Sequence, residues 1–299
     1  MSASAAPMQP IRDDEVEHRR VDVGPDADGR HLWLHVAFAG PADGTPVVLL
    51  HGFPEFWWSW RYQVGPLAAA GFRVIAPDLR GYGGSDRPPE IRAYRMENLV
   101  ADVAGLVRAL GHAKTHLVAH DWGGAIAWHV AATRPEVVDR LAILNAPHPA
   151  IFRRELGRLE QLQKSWYMFA FQVPGIPERR LQERATLVRT FRGWSRRREH
   201  FDDATIDRYV EAVRVSGAAR AMVAYYRAGL RHLPGPVPRI DADTLVIWGM
   251  DDRALGPGLL VGLDAHVSRL RIERIPGASH WVAQDAPERV NALLLDFLR

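Results

Sequence analysis

Hydrophobic and polar positions along this chain fall into two alternating rhythms. Short, nearly all-apolar runs at Val47–Leu50, Phe72–Ala76 and Leu117–Ala119 suit strands buried on both faces, and Leu141–Leu144, Thr244–Trp248 and Leu270–Ile275 supply three more strands. Two earlier runs, near Arg19–Val23 and His31–Phe38, alternate instead, as half-buried antiparallel strands do. Between the strands lie helical patterns. In Glu97–Leu110, for example, Leu99, Val103, Leu106, Val107 and Leu110 share one face, and Asn291–Leu298 closes the chain as a helix. The alternation predicts an α/β protein with a mostly parallel, eight-stranded sheet flanked by helices.

One segment breaks the rhythm. From about 147 to 236 there is no strand pattern, only helical stretches rich in arginine and aromatics, entered through Asn145-Ala-Pro-His-Pro149 and left through Leu233-Pro-Gly-Pro-Val-Pro238. Proline on both flanks marks a helical insertion after the sixth strand, so the predicted division is a core of 18–146 and 237–299 with a helical lid at 147–236. Residues 1–17 are expected to form a polar, poorly ordered N-terminal arm, since they lack the apolar stretch of a secretory signal.

The chemistry concentrates at Leu117-Val-Ala-His-Asp-Trp-Gly-Gly124, where an apolar strand runs into a small-x-acid-x-small turn and then a helix. Such a turn strains its central residue and presents that side chain at the sheet's C-terminal edge, beside a helix N-terminus that favours an anion. In most α/β hydrolases the residue is serine; here it is Asp121. A carboxylate attacks carbon without a general base and leaves an ester that water must later cleave. A helix-capping Asp is the plain alternative, and the neighbouring residues argue against it. His280, in a loop after a strand, stands where the order nucleophile, acid, histidine requires a base to activate that water. Asp252, at a strand end, is placed to orient His280, with Asp251 as its competitor. Backbone N–H groups of Phe53, after His51-Gly52, and of Trp122 are placed to form an oxyanion site.

On these and further stretches the chain resembles the epoxide hydrolases of the α/β-hydrolase fold. The stretches are His51-Gly-Phe-Pro-Glu55, Trp60-Arg61, Asp78-Leu-Arg-Gly-Tyr-Gly-Gly-Ser-Asp-Arg-Pro88, His120-Asp-Trp-Gly-Gly124 and Gly277-Ala-Ser-His-Trp281. The resemblance implies two lid tyrosines that donate to the epoxide oxygen. Tyr167, followed by Phe171-Gln-Val-Pro-Gly175, matches the first, and Tyr226 the second, with Tyr225 as the lesser alternative. An alkoxide is a poor leaving group, and a phenol supplies its proton where water is excluded. Trp57, Trp122, Phe169 and Trp281, with Trp58, are candidates for an apolar substrate-binding pocket. The implied substrate is a small apolar epoxide, the co-reactant is water, and no metal or organic cofactor is required.

Several stretches recur in haloalkane dehalogenases. Those enzymes commonly carry Asn at the position of Phe53, however, and a leaving halide has no use for a tyrosine pair. Fluoroacetate dehalogenases have arginine where Trp122 stands. A serine esterase is excluded at the turn, and a non-catalytic binding protein of this fold would be expected to have lost a catalytic member.

Composition adds boundaries. The 299 residues include no cysteine, which removes disulfides, thiolate ligands and a cysteine nucleophile and agrees with a cytoplasmic location. Net charge is only +3, and the arginine-rich run from Arg179 to Arg198 reads as a solvated helix face, so neither nucleic acid nor membrane is expected as a partner, while a homodimer remains open.

Overall fold

The computed structural model describes residues 8–26 and 29–299. Eight strands form one sheet: β1 (Glu17–Pro25), β2 (His31–Ala39), β3 (Thr45–Leu50), β4 (Phe72–Pro77), β5 (Thr115–His120), β6 (Val138–Leu144), β7 (Ile240–Gly249) and β8 (Val267–Ile275). Their spatial order is β1-β2-β4-β3-β5-β6-β7-β8. β1 and β2 are antiparallel to their neighbours and all other pairs are parallel. Every residue of β5 is buried, as the all-apolar run Leu117–Ala119 predicts for a central strand covered on both sides.

Helices α1 (Val64–Ala69), α2 (Met96–Ala109) and α3 (Asp121–Thr133) precede β6. The predicted apolar face of α2 is realised, with Leu99, Val103, Leu106 and Val107 buried. Between β6 and β7 come seven helices: α4 (Pro149–Glu155), α5 (Leu159–Lys164), α6 (Trp166–Ala170), α7 (Ile176–Leu181), α8 (Arg184–Trp194), α9 (Asp203–Arg214) and α10 (Ala218–Arg231). The chain ends with α11 (Val282–Asp285) and α12 (Pro287–Leu298). α12 begins four residues before its apolar pattern, because Pro287 suits the first turn of a helix, where its missing N–H has no partner to lose.

Residues 1–7 of the expected N-terminal arm lie outside the described residues. Residues 8–17, the rest of that arm, make defined contacts. The Ile11 N–H donates to the Arg61 carbonyl at 2.8 Å, Arg208 Nη2 lies 2.9 Å from both Asp13 oxygens, and β1 already starts at Glu17. A segment with few apolar side chains is held here by partners 50 to 195 positions away, which local pattern does not reveal.

One carboxylate fastens the insertion to the core. Asp285 Oδ1 accepts from Ser195 Oγ at 2.6 Å, the Arg196 N–H at 2.9 Å and the Arg197 N–H at 3.1 Å, all just beyond α8, while Oδ2 accepts from the Ser279 N–H at 2.7 Å.

Candidate active site

β5 turns directly into α3, and Asp121 at the turn has φ of 48°, in the left-handed region. A non-glycine residue there carries strain of order 1–3 kcal/mol. The turn can close only because its neighbours lack side chains. A Cβ on Gly52 would come within 2.5 Å of Asp121 Cβ, and one on Gly123 within 2.4 Å of the Leu50 carbonyl oxygen. The strain therefore buys position: the Asp121 carboxylate projects beyond the C-terminal ends of β3 and β5.

Its Oδ1 accepts the Phe53 N–H at 2.8 Å, and its Oδ2 lies 3.5 Å from His280 Nε2. The Trp122 amide belongs to the first turn of α3, where N–H groups have no partner within the helix. Burial pushes the Asp121 carboxyl up, but His280, the charge of His120 and the Phe53 N–H together outweigh it and hold the group below its ordinary value.

His280 Nδ1 lies 2.7 Å from Asp252 Oδ2. That oxygen also accepts from Asn145 Nδ2 at 2.8 Å, and Asp252 Oδ1 accepts the N–H groups of Ala254 and Leu255 at 2.7 and 2.9 Å. Every contact of Asp252 fixes its orientation. Asp251, by contrast, turns outward to Arg196 Nη2 at 2.8 Å. Burial lowers the proton affinity of His280, yet the charges of Asp252 and Asp121 and their hydrogen bonds raise it well above an ordinary histidine.

Tyr167 on α6 and Tyr226 on α10 line the same cavity as Asp121, their ring centroids 5.8 Å apart and nearly perpendicular. Burial, reinforced by the negative charge of Asp121, pushes both phenols up, so both keep their protons. Tyr225 is committed elsewhere, its hydroxyl donating to the Arg80 carbonyl at 2.7 Å. The cavity holds about 400 Å³, within the range of small-molecule sites, and its walls are mainly apolar, with Trp122, Phe152, Met168 and Leu230 among them.

Of the candidate pocket residues, Trp122 lines this cavity, with its ring edge-on to Tyr226. The others do not, and each is corrected for a distinct reason. Phe169 points outward and is 53% exposed, because on the five-residue α6 it lies on the side opposite Tyr167 and Met168. Trp57 is packed against His18, Phe56 and Trp58, while Trp58 lies under the Arg208 guanidinium. Trp281 is buried between His280 and Phe191, with its Nε1 donating to the Thr190 carbonyl, so it supports the histidine from behind.

Three polar supports escaped the sequence reading. Asn145 (φ 37°) bridges Asp252 and the end of β7, its Oδ1 accepting the Gly249 N–H at 2.8 Å. Glu55 Oε2 lies 3.0 Å from His120 Nδ1, and His120 Nε2 is 2.9 Å from the His280 carbonyl oxygen. Glu55 and His120 lie in stretches already singled out, and Asn145 sits at the predicted entry to the insertion. Those positions were the available signal.

A carboxylate on the strained turn after a central parallel strand, facing a His–Asp pair, is the arrangement of an α/β hydrolase whose nucleophile position is acidic. The family model described as "alpha/beta hydrolase fold" matches residues 45–287. The chain is 42% identical over 272 residues to the AB hydrolase superfamily protein YfhM of Bacillus subtilis, covering 90% of this chain and 95% of the relative. It is 36% identical over 282 residues to epoxide hydrolase 3 of Xenopus tropicalis, covering 89% and 74%. Among solved structures, an epoxide hydrolase of Bacillus megaterium with a bound inhibitor superposes with a TM-score of 0.82 at 28% identity, covering 94% of this chain and 99% of that one. The chain belongs to the α/β-hydrolase-fold family and, within it, to the epoxide hydrolases. Among the described residues no helix is long and apolar enough to cross a membrane.

Proposed function

We propose that the protein hydrolyses a small apolar epoxide to a vicinal diol through an ester on Asp121, beneath a lid formed by residues 147–236. The observation that carries this reading is a carboxylate on a strained turn sharing one apolar cavity with two phenols. Asp121 attacks an oxirane carbon; as the C–O bond breaks, Tyr167 and Tyr226 hydrogen-bond the oxygen and one of them gives it a proton. Esterification removes the negative charge of Asp121, and with it part of what raises the proton affinity of His280. The histidine can then release its proton, which restores the phenol that gave one up, and, held by Asp252, take another from water. The resulting hydroxide adds to the ester carbonyl, whose oxygen draws on the N–H groups of Phe53 and Trp122, typically worth a few kcal/mol. Collapse of that adduct frees the diol and restores the carboxylate, so water is the only co-reactant consumed.

A dehalogenase would use the same carboxylate and histidine, but a halide departs without a proton and would leave the phenol pair idle. The test is intact-mass analysis of a His280→Gln variant incubated with an aryl epoxide. A stable adduct of substrate mass on the Asp121 peptide is expected. Turnover without any adduct would reject the covalent route, and halide release from haloalkanes with no diol from any epoxide would reject the substrate class.

A further inference from the structure

We propose that the outer face of the insertion docks on an anionic lipid surface. Ten large apolar side chains are exposed among the described residues, and six of them fall within eighteen consecutive positions: Leu159 and Leu162 on α5, Trp166 and Phe169 on α6, Val173 in the turn that follows and Ile176 at the start of α7. Leu159 is 69% exposed and Trp166 66%. Isolated exposed hydrophobics are ordinary, but a cluster of this kind marks a surface that meets something.

Charge selects the occupant. Between 147 and 236 there are 17 basic and 9 acidic side chains, whereas the rest of the chain has 21 basic and 26 acidic. The near-neutral total thus hides a cationic insertion on an anionic core. Docking this face on its counterpart in a second copy would set like charges against each other, while an anionic headgroup layer is complementary. Exposed Trp and Phe flanked by Arg and Lys are what the boundary between headgroups and acyl chains accommodates. The exposed Arg158, Arg179 and Arg180 adjoin the apolar positions on either side.

The face is also continuous with the cavity. α6 turns Trp166 and Phe169 outward and Tyr167 and Met168 inward, and the cavity wall includes Arg153 and Leu233, which are themselves exposed. A lipid layer on this side would cover the route by which an apolar molecule reaches Asp121. The docking departs from the expectation that no membrane is a partner. It stands independently of the reaction proposed above.

The test is co-sedimentation of the full chain with sucrose-loaded vesicles of equal parts phosphatidylglycerol and phosphatidylcholine, and with vesicles of phosphatidylcholine alone. Binding to the mixed vesicles is expected, weaker by roughly tenfold or more on the neutral vesicles and at high salt. The double variant Leu159→Ser, Trp166→Ser alters only exposed side chains and should keep its melting temperature while losing at least about tenfold in partitioning. Absence of binding to mixed vesicles at low salt, equal binding by the double variant, or a dimer in light scattering that the same substitutions dissolve would each overturn the proposal.

Discussion

The carboxylate–imidazole half of the site and its phenol half are built by different rules. Asp121, Asp252 and His280 hang from the ends of parallel strands, and each is held by named partners: Asp252 alone engages His280, Asn145 and two backbone amides. Tyr167 stands on a five-residue helix whose other faces are open to solvent, and Tyr226 reaches in from α10. The difference has a physical sense. In the proposed reaction a nucleophile and its base hold one geometry through ester formation and breakdown, which strand ends fixed by hydrogen bonds provide. Proton donors to an incoming oxygen need only reach it, and helices of a cover can supply them.

The sharpest way to break this division is to remove the phenols and leave the strand ends intact. Tyr167→Phe, Tyr226→Phe should slow ester formation by roughly 10² to 10⁴-fold, the range of a lost general acid, without changing the hydrolysis of an ester once formed. Rapid-quench mass analysis separates the two steps, and an undiminished rate of ester formation would end the assignment.

A second, smaller effect separates the steps by pH. Asp121, held below its ordinary value, stays ionised and able to attack in mildly acidic solution. The histidine must lose its proton before it can act, and its affinity is raised, so deprotonation is favoured only as pH rises. Ester hydrolysis should therefore slow by up to about tenfold per pH unit below the pKa of His280 in the ester, while ester formation holds steady. The intermediate accumulates toward acid, which single-turnover quenching detects. Accumulation toward alkali instead would contradict the role of His280 as the base.

The smallest effect sharpens the comparison between adjacent tyrosines. Tyr225→Phe removes one hydrogen bond to the Arg80 carbonyl, a loss of about 1 kcal/mol of stability measurable by denaturant unfolding. Ester formation should fall by less than with Tyr226→Phe; the reverse order would exchange their roles.

Legibility followed the same divide. The central strands could be read from apolar runs because a parallel strand covered on both sides must be hydrophobic on both faces, and β1 and β2 from alternation because they are half-buried. The positions of Asp121, Asp252 and His280 could be read because the turn tolerates only small neighbours and the strand ends fix the order of the others. The lid aromatics could not be sorted. Over one turn of α6, Trp166, Tyr167, Met168 and Phe169 are all large and apolar, and only the packing of that short helix decides that the middle two face the cavity. Asn145 and the Glu55–His120 pair act across 65 to 107 positions of sequence, a separation that no local pattern encodes.

The four hydrogen bonds converging on Asp285 constrain how the cavity can breathe. They splice the exit of α8 to the loop leading into His280, so that outward movement of that flank pulls on the histidine. The other flank is tied as well: Arg154 Nη2 donates to the Val261 carbonyl at 2.9 Å, and Gln161 donates to the Ala254 carbonyl at 2.8 Å and accepts the Gly256 N–H at 3.0 Å. The cover is thus pinned on two sides, with one pin set beside the histidine.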